Sequence, residues 1–359
     1  MTILWLTLMF SYMFALLARY FSVPAGLGSS TATVTPNRLY AVLAASTLIL
    51  VSGLRNNIGD TFFYMHAYEV NDFSWYAILQ QKDIGFNLLQ KLLKEITDDP
   101  QLLIFLMALF TNILIVAALY RYSRLFEVAV FIYITSGAYI VSMNGMRQYF
   151  AAAIVIAATK YLIKGRWKPY FAIVLLAAVF HQSALIMLPI YFLVRRRAWT
   201  VSSFVLLSMA VVIVFGFNQF QNLLFAALKD TSYGEYQQFQ EGGASVIRVI
   251  FYALPLFVAY FGRDKLRKLY PNIDVFVNLS IIGVVIMIIS TQNWIFARMA
   301  IYFSLYQIVL ISWIIKIFRE KDQKLIYVLL LGLYLFFFFF ENVVTLGLEY
   351  RSDYLTWFR

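Results

Sequence analysis

Long apolar stretches separated by short polar breaks run along almost the whole chain, and most approach the roughly 20 residues that an α-helix needs to cross a bilayer. Ten of them read as membrane spans: 3–21, 38–54, 100–120, 125–143, 147–163, 199–216, 246–262, 273–291, 295–316 and 325–343. A further stretch, 169–194, is apolar at both ends but carries His181, Gln182 and Ser183 at its centre. The first stretch reads as a span and not as a removed leader, because no basic residue precedes it and no small-residue cleavage site follows. The pattern predicts an all-α polytopic membrane protein, one integral domain over 1–359 without internal repeats.

The polar breaks are unequal. Segment 55–99 is acidic and polar, with Arg55, Asp60, Tyr64, Glu69 and Asp83. Inside it, Gly85, Leu88, Leu89, Leu92, Leu93 and Ile96 recur at helical spacing, a stripe suited to lie in a membrane interface. A second loop, 217–245, is rich in Gln, Tyr and Gly, and the tail 344–359 carries Glu349, Tyr350, Arg351, Asp353, Tyr354 and Trp357. The run Phe336–Phe340 reads as lipid-facing bulk.

Composition agrees with the pattern. Of 359 residues 62% are hydrophobic and 13% charged, too little charge to coat a soluble globule of this size. That excludes an ordinary cytosolic enzyme, a nucleic-acid-binding protein and a disordered chain. The net charge of +11 acquires meaning from its position. Basic clusters stand at Arg121/Arg124, Lys164/Arg166/Lys168, Arg195/Arg196/Arg197, Arg263/Lys265/Arg267/Lys268 and Lys316/Arg319/Lys321/Lys324. If 169–194 crossed once, the last three clusters would lie opposite the first two. If it enters, breaks near His181 and returns, all five lie on one side, as the positive-inside rule requires. Segments 55–99, 217–245 and 344–359 then face outward, as do both termini. Each half of such a hairpin spans only about 18 Å, so the break must sit inside protein or beside a watery cavity, or the two short helices must sit in a thinned membrane region.

The absence of cysteine removes disulfides, thiolate metal sites and cysteine nucleophiles. With only His66 and His181, a histidine-rich metal centre is impossible. The outward carboxylates Asp60, Glu69, Glu341 and Asp353 include no pair at ligand spacing, so no metal is predicted. No nucleotide fingerprint is present and no cofactor is predicted.

The candidate chemistry lies on the outward side. Arg55, Arg147, Arg248 and Arg298 stand at or near span ends within predominantly apolar sequence. A cation there is costly and is usually paired or lines a functional cavity. Arg248 fits snorkelling to lipid phosphates best. Arg147 and Arg298 fit function better: Arg147 begins a span within Asn144-Gly145-Met146-Arg147-Gln148, and Arg298 lies one helical turn before Tyr302. Asp60, after Gly59, is either the cap of a following helix or a polar group at a site. His181 is either a packing residue or a neutral base at a break on the outward half; His66 fits a loop surface better. Arginine forks suit phosphate oxygens, and a lipid-linked pyrophosphate is a good leaving group that needs cations for its departure and a base for the acceptor hydroxyl.

Taken in order, Arg55…Gly59-Asp60-Thr61…Tyr64, then Asn144…Arg147-Gln148, then His181-Gln182-Ser183-Ala184, then Arg298 with Tyr302, resemble the EpsG family, which is similar to the Wzy polymerases of O-antigen and exopolysaccharide synthesis. The resemblance covers nearly the whole chain. It implies a membrane glycosyltransferase related to the C-type fold, multi-pass in the bacterial cytoplasmic membrane, that joins polyprenyl-pyrophosphate-linked repeat units by inverting transfer. Donor and acceptor glycans, the bilayer and other polysaccharide-assembly proteins would be its partners. Arg55, Arg147 and Arg298 would contact pyrophosphate or sugar, and His181 would be the base or hold the acceptor. Asp60, Gln148 and Tyr302 would support them, and Tyr64, Asn144 and Ser183 are further candidates for substrate binding. Family members often show Gly-Thr-Asp where this chain has Gly59-Asp60-Thr61, which leaves open whether His181 or Asp60 is the base. A flippase or other transporter of lipid-linked oligosaccharide, and a polysaccharide acyltransferase, are the competing readings. The former lacks the expected two-fold repeat, and the latter lacks inward loops for an acyl donor.

Overall fold

The computed structural model describes residues 1–24, 34–228 and 242–356. The described residues are almost entirely helical. The order is α1 (Thr2–Tyr20), a two-residue antiparallel pair of β1 (Val23–Pro24) and β2 (Val34–Thr35), α2 (Arg38–Gly53), α3 (Thr61–Val70), α4 (Trp75–Gln80), α5 (Ile84–Lys94), α6 (Gln101–Tyr122), α7 (Phe126–Thr135), α8 (Ala138–Asn144), α9 (Met146–Ala157), α10 (Thr159–Ile163), α11 (Trp167–Phe180), a 3-10 turn (Gln182–Ile186) and α12 (Met187–Val194). There follow α13 (Val201–Phe215), α14 (Phe217–Leu228), α15 (Val246–Phe261), α16 (Arg263–Leu269), α17 (Ile273–Ile289), α18 (Ile295–Met299), α19 (Ile301–Ile314), a second 3-10 turn (Ile315–Ile317), α20 (Glu320–Phe338) and a π-helical turn (Phe339–Thr345).

Hydropathy predicts ten full spans; the helices are more broken than that. Among the described residues three are long and apolar enough to cross a membrane, namely α1, α6 and α20 with its π-helical extension. The number is six if each bent pair counts as one span: α7 with α8 (53°), the apolar part of α13 with α14 (97°), and α15 with α16 (82°). These breaks fall at Ser136-Gly137, Gly216 and Gly262, where helix propensity is poor. A hydropathy window averages over Ser136-Gly137, which lies inside 125–143, whereas Gly216 and Gly262 stand at the ends of 199–216 and 246–262, and 38–54, 147–163, 273–291 and 295–316 hold apolar helices of only 10–17 residues.

The chain packs as two compact units, Met1–Tyr191 with Ile311–Arg359, and Phe192–Leu310. In the first, α2 lies between α1 and α6, and α9 between α6 and α11. Small residues permit the close approach: Ala15 and Ala18 of α1, Ala44 of α2 and Ala151 to Ala153 of α9 are all buried. Arg19 pairs with the fully buried Glu127, joining α1 to α7. In the second unit, α17 is flanked by α13 and α15, and Ala210, Phe217, Ile289 and Phe296 form its buried cluster.

Two expectations concern the site directly. The stretch 169–194 does break at His181, whose backbone is extended (φ −157°, ψ 113°) between α11 and the 3-10 turn. The ring of Tyr191 then packs 5.3 Å from Tyr170 and 5.6 Å from Phe171, near the start of α11. The chain therefore doubles back, and the element is a hairpin with His181 at its tip. The expected helix in 84–96 is α5, but its buried side is set by Gly85, Phe86, Gln90 and Leu93, while Leu92 and Ile96 are exposed. The helix packs on protein through α11, which selects this side over the most apolar one. Loop 217–245 is described only as α14 and from 242 onward, and Trp357 of the tail lies outside the described residues.

Candidate active site

Arg55 is the best-held candidate. It follows α2 and is 1% exposed. Its Nε donates to Thr61 Oγ1 (2.9 Å), its Nη2 to Met143 O (2.7 Å) and its Nη1 to Ser52 O. Ser52 and Met143 lie in the last turns of α2 and α8, where carbonyls lack intrahelical donors and the dipoles present partial negative charge. One guanidinium thus closes two helix ends and the start of α3. A cavity of about 10 Å³ lies beside it, lined by Ser52, Arg55, Thr111, Asn112 and Ser142 together with Met107, Ala108 and Met146, room for roughly one water.

Asp60 sits at the N-cap position of α3, yet its side chain makes no capping bond. Its backbone N–H instead donates to Asn144 Oδ1 (3.0 Å). Gly59 precedes it with φ +55°, and a Cβ there would stand 2.4 Å from the Asn144 side chain. Gly59 therefore supplies both the left-handed turn and the space for Asn144. The tail covers this loop: Asn56 N donates to Arg351 O, Arg351 N to Asn57 Oδ1, Asn57 Nδ2 to Glu349 O, and Tyr350 Oη to Val51 O.

The chemical centre is a group of three. Asp83 Oδ2 is 3.0 Å from Arg147 Nη1 and 3.0 Å from His181 Nδ1. Its other oxygen, Oδ1, accepts the backbone N–H of Gln182 (3.1 Å), satisfying an orphan donor at the start of the 3-10 turn. The side chain of Asp83 is 5% exposed, that of Arg147 37% and that of His181 24%. Arg147 lies over the rings of Tyr64 (5.7 Å) and Phe86 (5.6 Å), which pack edge to face on each other. Gln148 Nε2 donates to Ser183 Oγ (3.3 Å), tying α9 to the hairpin tip.

Local sequence explains how Asp83 reaches this place. Gly85 lies against Val179, and a Cβ on it would stand 2.6 Å from Val179 Cγ1 and 3.1 Å from the Val179 carbonyl oxygen. The first turn of α5 can therefore touch the last turn of α11, which sets Asp83 beside His181. Asp83 itself is left-handed (φ 60°, ψ 48°), a conformation that Asp and Asn tolerate better than most residues. Gly85→Ala is expected to push these turns apart, lowering activity about 10- to 100-fold while the protein still inserts and purifies. Initial-rate assays beside a thermal-unfolding curve check this.

Electrostatics decide the protonation pattern. Burial pushes the Asp83 carboxyl up, but the hydrogen bond and charge of His181, with the charge of Arg147 and the Gln182 N–H, outweigh it and hold the group below its ordinary value. An ionised carboxylate only accepts, so the His181 Nδ1 facing it carries a proton. In the neutral ring Nε2 is then a bare lone pair, and it has no hydrogen-bond partner among the described residues. The arrangement can bind an anion at Arg147 and accept a proton at His181 Nε2. Among the described residues no three His, Cys, Asp or Glu side chains converge on a point that suits a metal ion.

The structure thus joins Arg147, His181, Tyr64, Gln148 and Ser183, and sets Arg55, Asp60 and Asn144 together around the loop after α2. Asp83 and Phe86 are site residues that sequence reasoning missed; the one available signal was an acidic residue two positions before a glycine at a helix start. Arg298 and Tyr302 belong to the second unit. There Arg298 lies over the Trp294 ring (4.9 Å) and Tyr302 is buried. His66 is exposed on α3 and stacks on Phe62.

Comparison with curated proteins finds no match, and comparison with solved structures finds none. The EpsG family model matches residues 38–352, from the first residue of α2 to Ser352 of the tail. The match takes in every residue placed at the site above, and the chain belongs to the EpsG family.

Proposed function

We propose that this chain is a polysaccharide polymerase that joins polyprenyl-pyrophosphate-linked repeat units at the outer face of the bacterial cytoplasmic membrane. Membership of the EpsG family supports polysaccharide polymerisation and a membrane setting. The observation that carries the chemistry is one carboxylate, Asp83, holding a partly exposed arginine and a partly exposed histidine side by side. A reaction that expels pyrophosphate while deprotonating a hydroxyl needs that pair.

In this reading the acceptor hydroxyl gives its proton to His181 Nε2. Its oxygen attacks the anomeric carbon of the donor from the face opposite the pyrophosphate. The carbon–oxygen bond to pyrophosphate breaks, and the departing oxygen takes the electron pair beside Arg147. The new glycosidic bond has inverted configuration, and the imidazolium formed faces Asp83. Positioned base catalysis supplies about 10²–10⁴-fold, and one donor aimed at developing charge about 10²–10³-fold. Tyr64 and Phe86 hold the guanidinium flat. Arg55, with its donors on protein acceptors, braces the loop. Arg298 is the second unit's candidate for a phosphate contact. Outward orientation, support from the positive-inside pattern and a fold related to C-type glycosyltransferases belong to the same proposal.

Arg147→Gln tests it. The purified protein in lipid vesicles is given lipid-pyrophosphate-linked repeat units, and products are separated by length. The wild type should give a ladder and release polyprenyl pyrophosphate; Arg147→Gln should lose at least about 100-fold in rate with an unchanged unfolding curve. Transfer of intact units across the bilayer without a ladder would instead make the chain a flippase.

A further inference from the structure

We propose that Asp83 is the positioning residue of this site: it holds His181 with Nδ1 protonated and Nε2 turned to the acceptor, and a phosphate that engages Arg147 releases that cation and leaves the carboxylate to His181 alone. The inference rests on the polymerase reading for the identity of the phosphate.

The geometry is that of a shared counter-ion. A single oxygen, Asp83 Oδ2, serves both Arg147 Nη1 and His181 Nδ1 at 3.0 Å, while Oδ1 is occupied by the Gln182 N–H. With Oδ1 fixed, the carboxylate cannot rotate to give each partner its own oxygen. Among the described residues the charged and titratable groups around His181 are Asp83 ahead of α5, Arg147 on α9, and, through the Arg147 guanidinium, Tyr64 of α3. Nothing else on those elements faces the ring through a hydrogen bond or ion pair. The αL backbone of Asp83 fits a residue placed for its side chain, since non-glycine residues there need surroundings that hold them.

A pyrophosphate offers Arg147 a doubly charged, bidentate partner, against which one shared carboxylate oxygen competes poorly. Arg147 is already over a third exposed, so it can turn to a ligand without unburying itself. Once it turns, Oδ2 accepts from His181 only, and the Nδ1–H···Oδ2 hydrogen bond shortens and strengthens. The base is thereby readied when a donor is bound. Arg147 and His181 then act in sequence on one carboxylate, which a site with two separate acids would not do.

The chain has only two histidines, so the full-length protein labelled with ¹⁵N-histidine gives a spectrum of two rings, and His66→Asn identifies the His181 signals. The probe is inorganic pyrophosphate, its binding followed independently by ³¹P line-broadening. In the wild type His181 should show the Nδ1–H tautomer, and pyrophosphate should move its Nδ1 proton further downfield in a saturable way. In Arg147→Gln that proton should start at the downfield position and stay there. Asp83→Asn, chosen because Asn also tolerates the left-handed backbone, should lose the tautomer preference while still binding pyrophosphate. Its kcat should fall about 100-fold with KM within a factor of about three. A His181 spectrum unmoved by pyrophosphate that ³¹P shows to be bound overturns the inference and leaves the polymerase reading intact. The same tautomer in Asp83→Asn also overturns it. No pyrophosphate binding to the wild type overturns the inference, while the polymerase reading stands or falls on the ladder assay.

Discussion

Cells whose only copy carries His181→Ala should make no long polymer and should accumulate single lipid-linked repeat units on the outer leaflet, with the protein present in the membrane at its normal level. The expected loss is about 10²–10⁴-fold, the contribution of a positioned general base. The fold should tolerate the change. His181 is partly exposed, its backbone N–H and carbonyl bond to Ala177 and Ala184 whatever the side chain, and Asp83 keeps both Arg147 and the Gln182 N–H. Polymer length by gel and leaflet-specific labelling of the lipid-linked unit read the two halves of the result. Units trapped on the inner leaflet would mean transport, not polymerisation, and normal polymer would return His181 to the packing residues. Asp60→Ala separates the two candidates for the base. Asp60 contributes its backbone N–H to Asn144, which alanine retains, so a loss comparable to that of His181→Ala would shift the base to Asp60.

Arg55→Ala should have a larger effect on stability than any other single change at the site. The substitution leaves Ser52 O and Met143 O, buried at two helix ends, without their donor, and removes the Thr61 contact. Each hydrogen bond from a charged donor contributes about 1.5–3 kcal/mol, and stranded buried acceptors add to the loss. Even allowing for non-additivity, the total is several kcal/mol, a large part of the 5–15 kcal/mol that typically holds a domain. The expected outcome is protein missing from the membrane, or a sharply lowered unfolding temperature in detergent. Arg55→Lys should not restore it, because one ammonium cannot reproduce three donors fixed in a plane and aimed at α2, α3 and α8. Arg147→Gln provides the contrast: it is partly exposed and should unfold like the wild type while failing in turnover. Equal stability of Arg55→Ala and the wild type would return Arg55 to the substrate-contacting group that the family resemblance implies.

The features legible in sequence are those whose signal is local. His181 interrupts an otherwise apolar stretch, and the charge bias favours a chain that turns back there; the Tyr170–Tyr191 contact is that turn. Arg147 and Arg55 stand out because cations are rare in such surroundings. Asp83 does not. Loop 55–99 holds several carboxylates with similar neighbours, and its partner His181 lies 98 residues further on. Only the close approach of Gly85 to Val179 distinguishes it, and that is a property of two helices packed together. The helix breaks were hidden for a related reason, since apolarity measures a residue's affinity for lipid and says little about whether the backbone turns at a glycine. The family resemblance implies a pyrophosphate or sugar contact at Arg55; sequence shows its charge but not the Ser52 and Met143 carbonyls that its guanidinium meets.

The seam between the tail and the loop after α2 fixes an order of assembly. Asn56 and Asp353, bonded at 2.9 Å, are separated by 297 positions in the chain. A ribosome feeding this protein into the membrane delivers the Arg55 loop 297 residues before its cover. The loop that positions Asp60 and Asn144 therefore waits, unsealed, until residues 349–353 have been made. A chain cut short before Glu349 can fold most of its helices yet never close that seam. Closure of the loop around Asp60 is thus tied to the arrival of a segment almost three hundred residues further along the chain.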